Sequence, residues 1–247
     1  MNFFSLFKRN LIYNFKKKIS IDNDNININS LDELFYHYGS DKADIFKKTK
    51  DQGHGYSKFY KQKLEKIKNK NINILEIGSY AGASAAAFVK YLPGSNIFCF
   101  DINISNFEYK SEKIHVFGLD INNQEKTIKT LNKIANQYKI KEFDIIIDDG
   151  SHNLSDILIA LKFFFQYLKK RGLYVIEDFK HPNYYPYNKN IDHILIDELL
   201  KNIEKKNFFN FNIFTKNDQL NFMNMIDKIE INKGNLNDSD ITFISKR

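Results

Sequence analysis

From Asn71 onward, short apolar stretches alternate with amphipathic stretches of helical length. The apolar stretches lack the two-residue alternation of a half-exposed strand, which indicates strands covered on both faces. Each connection is long enough for a helical crossover, so the order predicts a mostly parallel α/β sheet. The predicted strands are Ile72 to Ile77, Ile97 to Asp101, Ile114 to Gly118, Phe143 to Asp148 and Leu173 to Glu177. The predicted helices are Ala81 to Leu92, Gln124 to Gln137, Leu154 to Lys170 and Ile191 to Lys205.

The tail of the chain has a different pattern. Phe208 to Phe214, Ile226 to Ile231 and Ile241 to Ile244 have the composition of strands, and no long helical stretch separates them. Because neighbouring strands without a crossover pair in antiparallel fashion, we expect an antiparallel edge on the sheet.

The beginning of the chain is basic and amphipathic. Its apolar and basic residues are Phe4, Phe7, Leu11 and Phe15, with Lys8, Arg9 and Lys16 to Lys18. The apolar residues have near the spacing of one helical face. Such a helix either rests on an anionic membrane surface or on a partner subunit, which would permit a homo-oligomer, or it packs on its own domain.

An Asn-rich stretch from Ser20 to Asn29 predicts a linker after this helix. Ser30 and Glu33 then have the spacing of a capping box, and Gly39 predicts the end of the helix that they begin. We therefore divide the chain into an N-terminal segment and linker (1–30), a helical segment (31–70) and an α/β domain (71–247).

The composition excludes several classes of protein. Among 247 residues, 37 Lys and Arg stand against 30 Asp and Glu, and the net charge of +7 is dispersed, which disfavours nucleic acid as a partner. The single cysteine, Cys99, excludes an internal disulfide and a cysteine-built zinc site, and it favours a reducing cytoplasm. No apolar run reaches the roughly 18 residues that span a bilayer, so we expect no transmembrane segment.

Ligands of open α/β sheets bind beyond the carboxyl ends of the strands, so the residues there are the candidates for chemistry. Gly78 and Gly82 follow the first strand as G-x-x-x-G, which differs from the G-x-G-x-x-G of dinucleotide-binding loops. Glu76 would repel a phosphate beside this loop but could accept a hydrogen bond from an ammonium group. Asp101 ends the second strand, where a carboxylate suits the hydroxyls of a ribose, and Asp120 follows the third, near an adenine edge.

A second acidic group follows the fourth and fifth strands. Asp148 and Asp149 end one strand, and Glu177 and Asp178 end the next. Four carboxylates repel one another unless a cation lies between them, and oxygen ligands favour Mg²⁺, with Mn²⁺ or Fe²⁺ as alternatives. The alternative is that Asp148 and Asp149 cap the following helix, while Glu177 and Asp178 accept hydrogen bonds from loop amides. His152 lies close to them in sequence and could accept the proton of a metal-acidified alcohol.

Taken in order, these motifs resemble the class I S-adenosylmethionine-dependent methyltransferases, in which E-x-G-x-x-x-G opens the cofactor site. D-D-G-S-H at 148–152 followed by I-E-D at 176–178 resembles a narrower family. These are the metal-dependent sugar O-methyltransferases related to macrocin and mycinamicin O-methyltransferases, and the enzymes that methylate bacterial capsular sugars. G-S-D-K at 39–42 and H-G-Y at 54–56 resemble the segment that covers the cofactor there.

The resemblance implies a Rossmann-like fold with a doubly wound, mostly parallel seven-stranded sheet, an antiparallel edge and an N-terminal helical segment, with residues 31–70 as a helical lid. It implies S-adenosylmethionine and a divalent metal ion as cofactors. Asp149, Glu177 and Asp178 would be the metal ligands, and His152, acting with Asp149, the catalytic base. Asp148 could also orient its neighbours. The candidate cofactor-binding residues are Ser40, Lys42, Tyr56, Glu76, Gly78, Ser79, Tyr80, Gly82, Ser84, Asp101, Asp120 and Asp148.

The expected reaction is methylation of a sugar hydroxyl, on a nucleotide-activated sugar used in capsule polysaccharide biosynthesis, with a heptose as one candidate. The stretch after Asp178 is rich in aromatic residues that suit a sugar ring, although a stiff surface loop would have the same composition. The candidate substrate residues are Lys180, His181, Tyr184 and Tyr185. Two alternatives remain open at this point: a catechol-type O-methyltransferase, and a noncatalytic partner subunit that keeps the fold.

Overall fold

The computed structural model describes residues 3–179, 195–209, 212–237 and 239–247. The chain divides into two compact units, Met1–Lys141 and Glu142–Arg247, which we call the first and the second unit. Among the described residues, no helix is long and apolar enough to cross a membrane.

The first unit is built around parallel strands. Its helices are α1 (Phe3–Phe15), α2 (Leu31–Tyr38), α3 (Ser57–Leu64), α4 (Ala83–Tyr91) and α5 (Gln124–Tyr138). Its strands are β1 (Ile19–Ser20), β2 (Ile72–Ile77), β3 (Ser95–Asp101), β4 (Tyr109–Lys110) and β5 (Ile114–Gly118). The order β5-β3-β2 is parallel throughout, and nearly all of β2 and β3 is buried, as expected for strands covered on both faces. The short parallel pair of β1 and β4 was not predicted.

Aromatic side chains join three helices of the first unit. Phe35 of α2 lies edge-on to Tyr60 of α3 and to Phe88 of α4, with ring centroids 6.3 and 5.3 Å apart. Both predicted ends of α2 are confirmed: the Ser30 hydroxyl accepts a hydrogen bond from the backbone N–H of Glu33, and Gly39 ends the helix with a φ of +80°.

The second unit has a parallel pair of strands followed by an antiparallel edge. Its strands are β6 (Phe143–Asp148), β7 (Leu168–Glu177), β8 (Ile226–Lys233) and β9 (Asp240–Lys246), and its described helices are α6 (Leu154–Phe164), α7 (Ile196–Glu204) and α8 (Lys216–Met225). Strands β6 and β7 pair in parallel, whereas β7 with β9 and β9 with β8 pair in antiparallel fashion. The predicted antiparallel edge is therefore confirmed.

The predicted helix from Leu154 to Lys170 is shorter than expected. Helix α6 ends at Phe164, a single 3-10 turn follows, and Leu168 already begins β7 opposite Phe143. Leu168 is fully buried in that pair, and the ammonium group of Lys169 bonds both carboxylate oxygens of Asp144 on β6. Pairing with a distant strand thus replaces the last turns of the helix.

The predicted strand from Phe208 to Phe214 is wrong for its described residues, which form no regular structure. The side chain of Gln219 on α8 takes the place of a strand partner. Its amide donates to the carbonyls of Phe209 and Phe214 and accepts from the N–H of Phe209. Helix α8, which was not predicted, begins at Thr215 with a complete capping box. The predicted helix from Ile191 to Lys205 lies partly outside the described residues, and within them the structure has α7 from Ile196 to Glu204.

Candidate functional site

The loop between β2 and α4 has an unusual backbone. Gly78, Tyr80 and Gly82 all have positive φ, at 84°, 42° and 75°. A β-carbon at position 82 would lie within 2.7 Å of three ring atoms of Phe107, so only glycine fits there without displacing the ring. The loop is therefore tightly folded at the carboxyl end of β2, where a ligand of this fold class would approach.

Asp101 holds this loop to the end of β3. Its two carboxylate oxygens accept the backbone N–H groups of Tyr80 and Asn103, at 2.8 and 2.5 Å. Each oxygen keeps a further lone pair, so the same carboxylate can still accept from hydroxyl groups of a ligand. The backbone N–H of Leu119 donates to the Asp101 carbonyl at 3.0 Å, which brings Asp120 to the neighbouring strand end.

Glu76 lies behind the loop. It is fully buried, and one carboxylate oxygen accepts from the hydroxyl of Ser84 in the first turn of α4. The Ser79 hydroxyl donates to the Glu76 carbonyl, and the thiol of Cys99 lies 4.0 Å from the second carboxylate oxygen. Burial, with the nearby charge of Glu76, raises the pKa of that thiol. In this arrangement Glu76 supports the first turn of α4.

The two halves of the segment at 39–56 meet through their backbones. The N–H groups of His54, Gly55 and Tyr56 donate to the carbonyls of Asp41, Ala43 and Lys42, at 2.7, 3.0 and 2.9 Å. These hydrogen bonds hold together the two ends of the loop that the intervening residues form. The candidate cofactor residues of this segment, Ser40, Lys42 and Tyr56, are all buried, with exposed fractions of 5%, 2% and 0%.

A second group of functional side chains lies within the second unit, at the ends of β6 and β7. Asp148 pairs with Ile176 in the parallel register, so the following residues of the two strands leave the sheet side by side. One ligand atom each from Asp149, His152 and Asp178 lies within 4.8 Å of the others. The His152 Nε2 atom is 3.9 Å from Asp149 Oδ1. Two carboxylates and an imidazole at this spacing form a suitable donor set for a divalent cation.

The backbone holds this group in a strained conformation. His152 and Asp178 are not glycines, yet their φ values are +53° and +51°. The N–H of Asp178 donates to the Asp240 carbonyl at 2.8 Å, and Asn153, directly after His152, caps the N-terminus of α6. Such conformations cost free energy and persist where the surroundings fix them, commonly at functional sites.

The surroundings of Asp148 disfavour the ionised form of its carboxyl. Its Oδ2 atom is buried and has no hydrogen-bond partner in the described part of the chain. Burial and the neighbouring charge of Asp149 raise the pKa of Asp148 to about 8. The pKa of the Tyr174 hydroxyl, which is also buried without a partner among the described residues, is raised by burial and by Asp148. A bound cation would favour the ionised form of such a carboxyl, so the residues present fit a metal ion.

Comparison with known proteins identifies the fold. No protein-family model matches the chain. The MycE methyltransferase, solved in complex with Mg, SAH and mycinamycin VI, superposes with a TM-score of 0.65 at 22% sequence identity, over 88% of this chain and 54% of that one. The chain has the class I methyltransferase fold. The predicted fold class is thereby confirmed.

The curated proteins to which the chain is similar in sequence are sugar O-methyltransferases. The chain is 29% identical to mycinamicin VI 2''-O-methyltransferase of Micromonospora griseorubida over 135 residues, which cover 51% of this chain and 31% of the relative. It is 29% identical to L-olivosyl-oleandolide 3-O-methyltransferase of Streptomyces antibioticus over 155 residues, 60% of this chain and 36% of the relative. The chain thus spans about a third of the length of these relatives. The resemblance to sugar O-methyltransferases related to the macrocin and mycinamicin enzymes is confirmed.

Within this methyltransferase fold the predicted site residues fall into two sets, one in each unit. The metal-site geometry differs in two respects from the expected ligand set. His152 belongs to the described group with converging ligand atoms, whereas Glu177, although buried, does not. The candidate substrate residues Lys180, His181, Tyr184 and Tyr185 lie outside the described residues.

Two contributors to these sites were missed from the sequence. Phe107 shapes the glycine loop, and Tyr174 lies near Asp148. No local pattern marks either residue, because both act through contacts with residues far away along the chain. The N-cap at Asn153 was not predicted but could have been, because Asn is a favoured residue directly before the first residue of a helix.

Proposed function

We propose that this chain is an S-adenosylmethionine- and divalent-metal-dependent O-methyltransferase that acts on a sugar hydroxyl. The observation that carries the proposal is the convergence of Asp149, His152 and Asp178 at the ends of two parallel strands. The curated relatives support it, since those quoted above are named as O-methyltransferases of glycosylated compounds. MycE, whose fold the chain shares, was solved with Mg and SAH.

The first unit would hold the cofactor. Asp101 would accept from the ribose hydroxyls with the lone pairs left by Tyr80 and Asn103, and Asp120 would face the adenine. Gly78 and Gly82 would let the methionine portion approach the backbone closely. Ser40, Lys42 and Tyr56 would cover it, and Glu76, Ser79 and Ser84 would keep the loop in place.

The second unit would activate the acceptor. S-adenosylmethionine supplies the methyl group, and a divalent ion supplies positive charge that makes a sugar hydroxyl more acidic. Asp149 and Asp178 would hold the ion, and Asp148 would orient them. Glu177, the third carboxylate of the expected set, lies outside the converging group and would bind the ion only after its side chain moves. The Nε2 atom of His152 would accept the hydroxyl proton, the hydroxyl oxygen would bond the methyl carbon, and the broken S–C bond would release S-adenosylhomocysteine. Hard carboxylate ligands favour Mg²⁺, with Mn²⁺ and Fe²⁺ as alternatives.

For the acceptor we propose a nucleotide-activated sugar of capsule polysaccharide biosynthesis, such as a heptose, in the cytoplasm. Lys180, one of the candidate substrate residues, is a cation shortly after the proposed metal site in sequence, which favours an anionic acceptor over a neutral one. Cys99 is free and buried, in keeping with a reducing compartment.

The test is methyl transfer from labelled S-adenosylmethionine to a panel of nucleotide-linked hexoses and heptoses. We expect labelling of one sugar, its loss in EDTA and its return with Mg²⁺, Mn²⁺ or Fe²⁺. The variant Asp149→Asn should stay inactive after metal addition, while Asp227→Asn, an exposed change on β8, should behave as the parent chain. Labelling that continues in EDTA would refute the requirement for a divalent metal ion. Cofactor binding without labelling of any sugar would refute the nucleotide-linked acceptor.

A further inference from the structure

Helix α1 is fixed to the first unit along one side. The ammonium group of Lys16 donates to the carbonyls of Ser105 and Asn106, at 3.3 and 3.0 Å. The ring of Tyr13 lies edge-on to that of Phe107, with centroids 6.3 Å apart. Asn10 is packed closely against Gly118. This side of the helix is therefore a buried interface within the first unit.

The opposite side of α1 carries apolar side chains exposed to solvent. Phe7, Leu11 and Phe15 recur every four residues and are 59%, 46% and 83% exposed. Ile12 beside them is 44% exposed. We call these four residues the outer ridge. A row of large apolar side chains is costly to leave in water and marks a surface that another phase or molecule covers.

The charge around the outer ridge is of one sign. Residues 1–21 contain Lys8, Arg9, Lys16, Lys17 and Lys18 and no Asp or Glu. Lys8 and Lys17, next to Phe7 and Phe15, are themselves exposed. An apolar face bordered by cations is the arrangement with which a helix lies in the interface of an anionic bilayer.

We propose that the outer ridge of α1 docks the protein on an anionic lipid surface. A second copy of the chain is disfavoured as the occupant because a two-fold interface brings the same patch together from both subunits. Two ridges that met in this way would bring together the exposed ammonium groups of Lys8 and Lys17 from both copies, and residues 1–21 contain no Asp or Glu to neutralise them. The inference does not depend on the proposed methyltransferase activity.

The test is flotation of the full chain with vesicles of phosphatidylcholine, with and without phosphatidylglycerol. We expect binding only to the anionic vesicles. The triple variant Phe7→Ser, Leu11→Ser and Phe15→Ser should lower the partition coefficient by about tenfold or more, because three apolar side chains lose their burial. Lys8→Glu with Lys17→Glu should lower it about tenfold or more, since each cation contributes near the surface.

Matched controls separate the ridge from general surface changes. Leu220→Ser removes an equally exposed leucine on α8, and Lys61→Glu with Lys133→Glu reverses two exposed charges on α3 and α5. These variants should bind as the parent does. Circular dichroism and thermal melting identify any variant that fails to fold. Equal binding by parent and ridge variants, or no binding by the parent, overturns the proposal. A lipid-free dimer that the serine changes convert to a monomer in light scattering would assign the ridge to a second copy instead.

Discussion

The ring of Phe107 fills the space in which a β-carbon at position 82 would lie, so Gly82 and Phe107 together set the shape of the candidate cofactor loop. The same ring meets Tyr13 of α1 on another side. The loop therefore depends on a contact between residues far apart in the chain.

We predict that Gly82→Ala lowers both stability and cofactor affinity. The substitution combines a left-handed backbone with overpacking against Phe107, which together cost about 2–4 kcal/mol. Gly39→Ala is the matched control, since Gly39 has a φ of +80° but no atom within 4 Å of an added β-carbon. It should cost only about 1–2 kcal/mol. Urea denaturation measures the free energy of unfolding of the two variants. Equal losses would show that the contact with Phe107 does not determine which residue fits at position 82.

Asp101→Asn should weaken the binding of S-adenosylhomocysteine. The change removes the negative charge and places an NH₂ group where a backbone N–H now donates. Loss of hydrogen bonds to a charged group predicts an affinity lower by about tenfold to a hundredfold. Calorimetric titration measures this, with the exposed Asp227→Asn as the control. Unchanged affinity would place the ribose elsewhere.

His152→Gln should lower kcat by about a hundredfold to ten-thousandfold while cofactor affinity stays unchanged, as expected for a general base. Because His152 lies among the converging ligand atoms, metal affinity must be measured as well. Titration with Mn²⁺ followed by electron paramagnetic resonance serves this purpose. A fall in Mn²⁺ affinity that parallels kcat would make His152 a ligand rather than the base.

The pKa of Asp148 predicts how the metal-free protein responds to pH. The folded pKa of about 8 lies above the value of 3.8 for an unperturbed carboxyl, so between these values the native state binds more protons than the unfolded chain. In EDTA, stability should therefore fall as pH rises through this window, by up to about 1.4 kcal/mol per pH unit. Denaturation of Asp148→Asn, which cannot ionise, should show a smaller slope. An equal slope would assign the effect to other groups.

Gln219→Ala should destabilise the second unit. The substitution leaves the N–H of Phe209 and the carbonyls of Phe209 and Phe214 without their side-chain partner, at a cost of about 1–3 kcal/mol. Gln166→Ala is the control, because among the described residues the Gln166 amide donates to one exposed carbonyl, three residues away. A cost no larger than that of the control would mean that water replaces Gln219 freely.

Local chemistry let the sequence alone determine much of this protein. The apolar stretch at Ile72–Ile77 has the predicted bounds, as does the stretch at Phe143–Asp148, because burial on both faces leaves a pattern in the residues themselves. The ends of α2 at Ser30 and Gly39 were predictable for the same reason, since capping acts over three or four residues. The motifs at 76–82 and 148–152 also carried the resemblance that the comparisons confirm.

Only the tertiary structure decided the features that depend on distant partners. The apolar pattern at 208–214 predicts a strand, yet its described residues form no regular structure, and the amide of Gln219 bonds the backbone of Phe209 and Phe214. Leu168 is strand rather than helix because Phe143 pairs with it. The grouping of His152 with Asp149 and Asp178 likewise follows from two strand ends that lie side by side. A linear pattern records which faces are buried, but the partner that buries them is fixed only when the chain has folded.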